Sequence, residues 1–299
     1  MRVDTTWVFR VVWATLPLAA GPTLADALDP RSQAVRTVAS VALWLGWAAV
    51  LAASLVPSTV SLTVIRVLAP AAAVATAWAT LDHPSAATGG VTGAVTVADV
   101  VALVVTAVAA VVVMDARIGD RFVDGSSYGP ERRLALRVPA PVLLGPLELT
   151  WAASLAGALS GPLLLASRQW VAGAIATVVG LVVVFWAARS LHALSRRWLV
   201  FVPGGMVLHD PLTVTESVLM PRAMIERLGP APADSSAYDL TQRAAGLALE
   251  VTLREPLPVS LYRPRSRQPE TATVEQVLFT PTRPAAALDA AAERRIPVG

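Results

Sequence analysis

Hydrophobic positions along the chain follow two regimes. Over residues 1–195 they run in long blocks with few charges, and over residues 196–299 they alternate with polar positions or gather in short groups. A helix needs about 20 mostly apolar residues to cross the hydrocarbon core of a bilayer. Six segments meet that length, roughly at 7–27, 35–56, 60–81, 96–114, 142–165 and 170–190. The pattern predicts about six transmembrane α-helices in a domain spanning 1–195, followed by a small soluble β domain at 196–299. The first segment is interrupted by Arg10, Pro17 and Pro22, and it ends Ala25-Asp26-Ala27, a small-x-small pattern of the kind signal peptidase cleaves. An uncleaved helix is the preferred reading, because the apolar run is broken. Cleavage before Leu28 is the alternative.

Strand periodicity begins after Arg196-Arg197. Trp198–Val202 and Met206–His209 flank the turn Pro203-Gly204-Gly205. Glu216–Met220 and Ala223–Leu228 flank Pro221, and residues 229–246 read as a loop or short helix. Residues 247–253, Val259–Tyr262 and Thr273–Thr280 bring the total to about seven strands. Thr282 is placed to cap a closing helix with Pro284 in its first turn and Ala285–Arg295 as its body.

The run Val277-Leu278-Phe279-Thr280-Pro281-Thr282-Arg283-Pro284, leading into an alanine-rich helix, resembles the strand-to-helix junction of the pleckstrin-homology-like domains carried at the C-terminus of bacterial multi-pass membrane proteins. The resemblance covers residues 196–296 and implies a β-roll closed by one helix. Lipid-binding members have a basic first loop. Here that loop is the uncharged Pro203-Gly204-Gly205, so the resemblance implies scaffolding rather than phosphoinositide binding.

Composition sharpens the division. Of 299 residues, 55% are hydrophobic and 15% charged, against about 25% charged in an ordinary soluble domain. The absence of cysteine excludes disulfides and thiolate metal sites. All 24 basic residues are arginine, for a net charge of +3. They gather beside the spans, which suits topology and lipid headgroups better than nucleic acid. The 115–140 loop holds Arg117, Arg121, Arg132, Arg133 and Arg137, and the exit of the last span holds Arg189, Arg196 and Arg197. The opposite side offers only Arg31, Arg168 and, at a span edge, Arg36. The positive-inside bias therefore predicts a cytoplasmic N-terminus, 115–140 loop and C-terminal domain, in a bacterial plasma membrane.

Ionisable groups in or near spans are functional candidates by default. Here they are Arg10, Arg66, Asp99 and Glu148. Either Glu148 pairs with Arg66 or Arg10 between helices, or each reaches the interface alone, the reading that their depth favours. In the cytoplasmic loop Asp120, Asp124, Arg132 and Arg133 are candidates for a ligand site. The aspartate pattern of alcohol-phosphatidyltransferases is not met, because Asp124-Gly125 is followed by Ser126-Ser127-Tyr128. A solvated loop anchored to anionic lipid is the preferred expectation. Arg196, Arg197, Arg263, Arg265 and Arg267 are further candidates for anionic-lipid contact. His83, His192 and His209 lack metal-ligand spacing, and no hydrolase, phosphate-loop or zinc-protease motif occurs. No cofactor or metal is expected.

These features lead to a non-enzymatic membrane scaffold as the leading expectation, with the bilayer and a protein as its partners. A transporter using Glu148, Arg66 and Arg10, and a membrane enzyme using the acidic 115–131 loop, are the alternatives. Function is sought where that loop and the C-terminal domain, on the same side, come together.

Overall fold

The computed structural model describes residues 4–82, 95–262 and 270–299. The chain divides into two compact units. The first comprises Met1–Val56, Val60–Ile118 and Thr150–Arg189, and the second Pro57–Thr59, Gly119–Leu149 and Ser190–Gly299.

The first unit is helical: α1 (Thr5–Leu28), α2 (Gln33–Leu55), α3 (Thr59–Leu81), α4 (Val97–Val112), α7 (Pro146–Ala166) and α8 (Trp170–Ser195) supply it. Among the described residues five helices, α1, α2, α3, α7 and α8, are long and apolar enough to cross a membrane. Counting α4 with the following α5 (Ala116–Asp124) as one broken span makes six. Pro17 and Pro22 lie inside α1 without ending it. Among its buried residues Phe9, Trp13, Leu16, Ala20, Thr23 and Ala27 repeat at a 4-3 spacing that keeps one stripe facing inward. On α4 the buried Asp99, Ala102, Thr106 and Ala109 repeat at 3-4 spacing, and α1 packs along this small-residue face.

Two indoles tie α1 to α2. Trp13 Nε1 donates to the Trp47 carbonyl at 2.9 Å, and Trp47 Nε1 donates to the Trp13 carbonyl at 3.0 Å. The small residues of α7 let α8 approach: a Cβ on Gly180 would lie 2.2 Å from the Gly157 carbonyl oxygen, and one on Gly161 would lie 2.3 Å from Thr177 Oγ1. The span expected at 142–165 starts late. One helical turn, α6 (Ala140–Leu143), is followed by a break at Gly145, whose φ of +122° favours glycine.

The second unit holds two four-stranded sheets. The first has the order β1-β2-β3-β4, with β1 (Arg132–Ala135), β2 (Trp198–Val202), β3 (Gly205–His209) and β4 (Val218–Pro221). The second has the order β5-β7-β8-β6, with β5 (Ile225–Pro230), β6 (Tyr238–Asp239), β7 (Leu249–Leu261) and β8 (Glu270–Phe279). Alternation fixes the inner face: Leu134, Leu199, Phe201, Met206 and Leu208 are buried in one core with Val251, Val277 and Phe279 of the other sheet. Isolated bridges, Leu136 to Pro281 and Val214 to Leu261, join the sheets at their corners. Helix α9 (Pro284–Glu293) packs on this core through Ala287, Ala290 and Ala291, whose short side chains let it lie close.

Several expectations are corrected here. The eight strands among the described residues include one, β1, that comes from the 115–140 loop, so the second unit is not confined to 196–299. Residues 247–253 and 259–262 are one strand, β7, with a register shift between Thr252 and Leu257. The stretch 229–246 contains β6, which pairs parallel to β8. Thr282 does not cap α9, whose N-cap is Arg283 without a side-chain bond. The Thr282 hydroxyl is drawn inward to a stronger acceptor, the carboxylate of Asp120.

Candidate functional site

The polar residues of the second unit concentrate on a seam between α5 and β1. Ile118, Phe122 and Val123 bury the apolar face of α5. That leaves Asp120 and Asp124, four residues apart, facing the outer edge of β1. Asp120 Oδ1 accepts the Ala135 N–H at 3.0 Å, and Asp124 Oδ1 accepts the Arg133 N–H at 2.7 Å. The geometry matches because four helical residues rise about 6 Å and two strand residues about 6.7 Å. Two carboxylates thus saturate amides that an edge strand would otherwise leave open to a foreign strand.

Asp120 is 1% exposed. It also accepts from Thr282 Oγ1 at 3.2 Å and from the Arg283 guanidinium at 3.3 Å. Burial raises its pKa from the ordinary value, and the bond from Ala135, the charge of Arg283 and the bond from Thr282 counter that only in part. Asp124 additionally accepts from Ser127 Oγ at 2.9 Å and pairs with Arg132. The neighbouring Gly125 allows a close approach: a Cβ there would lie 2.3 Å from the Pro57 carbonyl oxygen.

Arg197 is corrected from an expected lipid contact to an interior ion pair. Its Nε and Nη2 each donate to Asp210 at 2.7 Å, and Nη1 donates to the Arg137 carbonyl. The side chains are 2% and 1% exposed. The reason is parity: Arg197 shares the inward face of the strand that follows with Leu199 and Phe201. Arg196 has the opposite parity and is exposed.

On the outer face of the first sheet Trp198 stacks on its cross-strand partner His209, with centroids 4.6 Å apart. The Arg133 guanidinium lies 5.8 Å from the Trp198 centroid. His209 Nδ1 and Ser217 Oγ are 2.8 Å apart. Burial and then the charge of Arg196 hold the His209 imidazole below its ordinary pKa. Sequence reading missed this cluster, although the tight turn at Pro203-Gly204 fixes the hairpin register and so pairs Trp198 with His209.

The span candidates serve helix ends. Arg10 donates from Nε to the Ser54 carbonyl at 3.0 Å, and from Nη2 as well, capping the last turn of α2. Glu148 accepts the Gly145 N–H at 3.0 Å in the first turn of α7. Of the two readings, Glu148 paired with Arg66 or Arg10 or each group acting alone, Arg10 and Glu148 take separate backbone caps. Asp99 forms a capping box with Thr96 and accepts from Thr23 Oγ1 at 2.9 Å. Arg66 is half-buried on α3. His83, Arg263, Arg265 and Arg267 lie outside the described residues. No group of three His, Cys, Asp or Glu with metal-holding geometry occurs among the described residues. No protein-family model, curated protein or solved structure matches the chain.

Proposed function

We propose that this chain is a non-enzymatic integral membrane scaffold, or accessory protein, whose cytoplasmic pleckstrin-homology-like β unit presents a surface to a protein partner. The observation that carries this reading is how the most chemistry-like polar groups are used. Asp120, Asp124, Arg197 and Asp210 are occupied with backbone amides, a backbone carbonyl, hydroxyls and each other. They hold distant chain segments together. Two four-stranded sheets closed by a C-terminal helix support the family likeness.

The orientation has independent support. Pro57–Thr59, Gly119–Leu149 and Ser190–Gly299 make one compact unit, which supports placing them on one side of the membrane with α4 as a span and α5 outside it. The arginine bias makes that side the cytoplasm of a bacterial cell. On the other side, Arg31 and Asp82 form an ion pair between the α1–α2 turn and the end of α3. Arg10 and Glu148 each bond to the backbone at a helix end, which supports reading them as separate caps.

Crosslinking in native membranes, followed by capture of the full chain, tests the proposal. It predicts a specific protein that is lost when residues 196–299 are removed. Recovery of no protein, or of the same proteins with and without that segment, contradicts it.

A further inference from the structure

We infer that Arg196 and Ser217, backed by the Arg133–Trp198–His209 stack, bind a phosphate-type oxyanion, free in solution or carried on a lipid headgroup. The inference is independent of the scaffold proposal.

The site sits at the end of the β2–β3 hairpin away from its turn. Trp198 and His209 are the last pair of that register, and Val202 and Gly205 are the pair beside the turn. The stack crosses three neighbouring strands: Arg133 on β1, Trp198 on β2 and His209 on β3. Ser217 and Arg196 are both exposed, so their donors are open to solvent.

Charge at this place is unbalanced. The charges that act on His209 are those of Arg196, Asp210 and Arg133. Asp210 is consumed by Arg197 on the interior side. Arg133 is shared with Glu131, its Nη2 at 3.1 Å from the carboxylate. Among the described residues no carboxylate pairs with Arg196. His192, one turn before Arg196 on α8, adds no negative charge, and Glu216, beside Ser217, is exposed. The Arg196 guanidinium, two positions before Trp198 and of the same parity, together with the Ser217 hydroxyl and the imidazole bonded to it, makes a donor set suited to a tetrahedral oxyanion.

The hydrogen bond between His209 and Ser217 couples binding to protonation. A neutral imidazole accepts the Ser217 hydroxyl proton at Nδ1 and carries its own proton on Nε2, which has no partner among the described residues. Protonation reverses the bond: Nδ1–H then donates to Ser217 Oγ, and the hydroxyl proton is freed toward an anion held by Arg196. The anion in turn offsets the repulsion that Arg196 and Arg133 exert on an imidazolium. Anion and proton therefore favour each other's binding, and affinity rises as pH falls.

The test is a titration of the His209 ring by NMR in the full chain, reconstituted in nanodiscs of neutral phosphatidylcholine and assigned with His209→Gln. Inorganic phosphate is expected to raise the midpoint by about one pH unit. Arg196→Gln abolishes the rise, while Arg254→Gln, at an exposed position of β7, leaves it intact. Ser217→Ala diminishes the rise by breaking the relay. Replacing the neutral lipid with phosphatidylglycerol, without phosphate, separates the sources. A rise in that arm assigns the site to a headgroup, and a rise with phosphate alone assigns it to a free anion. No rise in either arm overturns the inference. So does a rise that survives Arg196→Gln in a variant whose thermal unfolding matches the parent protein.

Discussion

Asp120 and Thr282 stand 162 positions apart, and the hydroxyl of Thr282 donates to the carboxylate of Asp120 at 3.2 Å. One end of this bond lies in the segment joining α4 to α7. The other lies at the foot of the closing helix. The same carboxylate takes the Ala135 amide on β1 and the Arg283 guanidinium. A single buried group thus joins an inter-span segment, an edge strand and the start of α9.

Asp120→Ala removes the acceptor from the Ala135 amide and leaves Thr282 only its bond to the Ala135 carbonyl. The expected loss is about 1–3 kcal/mol, the usual penalty for a buried donor left unpaired. Asp120→Asn keeps an acceptor for the amide and loses less. Hydrogen exchange at the Ala135 amide, compared across parent, Asn and Ala variants, reads the order directly.

The pH dependence carries a definite sign. The folded pKa of Asp120 lies above its ordinary value of 3.8, so folding favours the protonated carboxyl. That contribution is full below about pH 3.8 and is lost as pH rises through the folded value. The stability of the parent protein relative to Asp120→Asn therefore falls as pH rises above about 4. A difference that grows over that window contradicts the assignment of burial as the dominant cause.

Breaking the interior pair is expected to cost more than changing either seam carboxylate. Arg197→Met leaves Asp210 buried without its cation, a loss of about 3–5 kcal/mol. Arg197→Met combined with Asp210→Leu removes both charges and recovers much of it. Chemical unfolding of the two variants, followed by tryptophan emission, distinguishes a paired interior charge from a surface anchor.

Helix approach in the first unit gives a separate test. A Cβ on Gly180 meets the Gly157 carbonyl oxygen at 2.2 Å, whereas one on Gly46 meets nothing within 4 Å. Gly180→Val is expected to destabilise the α7–α8 pair by about 1–3 kcal/mol, and Gly46→Val to have little effect. Equal thermal midpoints for the two in detergent contradict the close packing.

The apolar blocks, the Trp198–His209 hairpin and the closing helix were legible because each is set by local periodicity over ten or more residues. Strand β1 was not. It is four residues long, half of it arginine, and its partner β2 lies beyond two spans. Asp120 and Asp124 looked solvated because nothing local marks a carboxylate that will cap a distant strand edge. Arg197 was open to a better reading, since the alternation through Leu199 and Phe201 already turns it inward. The position of Thr282 alone marks it as a cap, while its bond to Asp120 depends on the assembled second unit.

The central claim is that the segment between α4 and α7 supplies a strand of the β unit, and disulfide trapping in native membranes tests it most directly. The chain has no cysteine, so introduced pairs report without background. Arg133 and Val200 are register partners on β1 and β2, and antiparallel partners lie about 4.5–5.5 Å apart at Cα, within disulfide reach. Arg133→Cys with Val200→Cys is predicted to crosslink under mild oxidation. Arg133→Cys with Glu275→Cys, on the other sheet, is predicted to stay reduced. Failure of the first pair to form, or equal formation of both, contradicts the account.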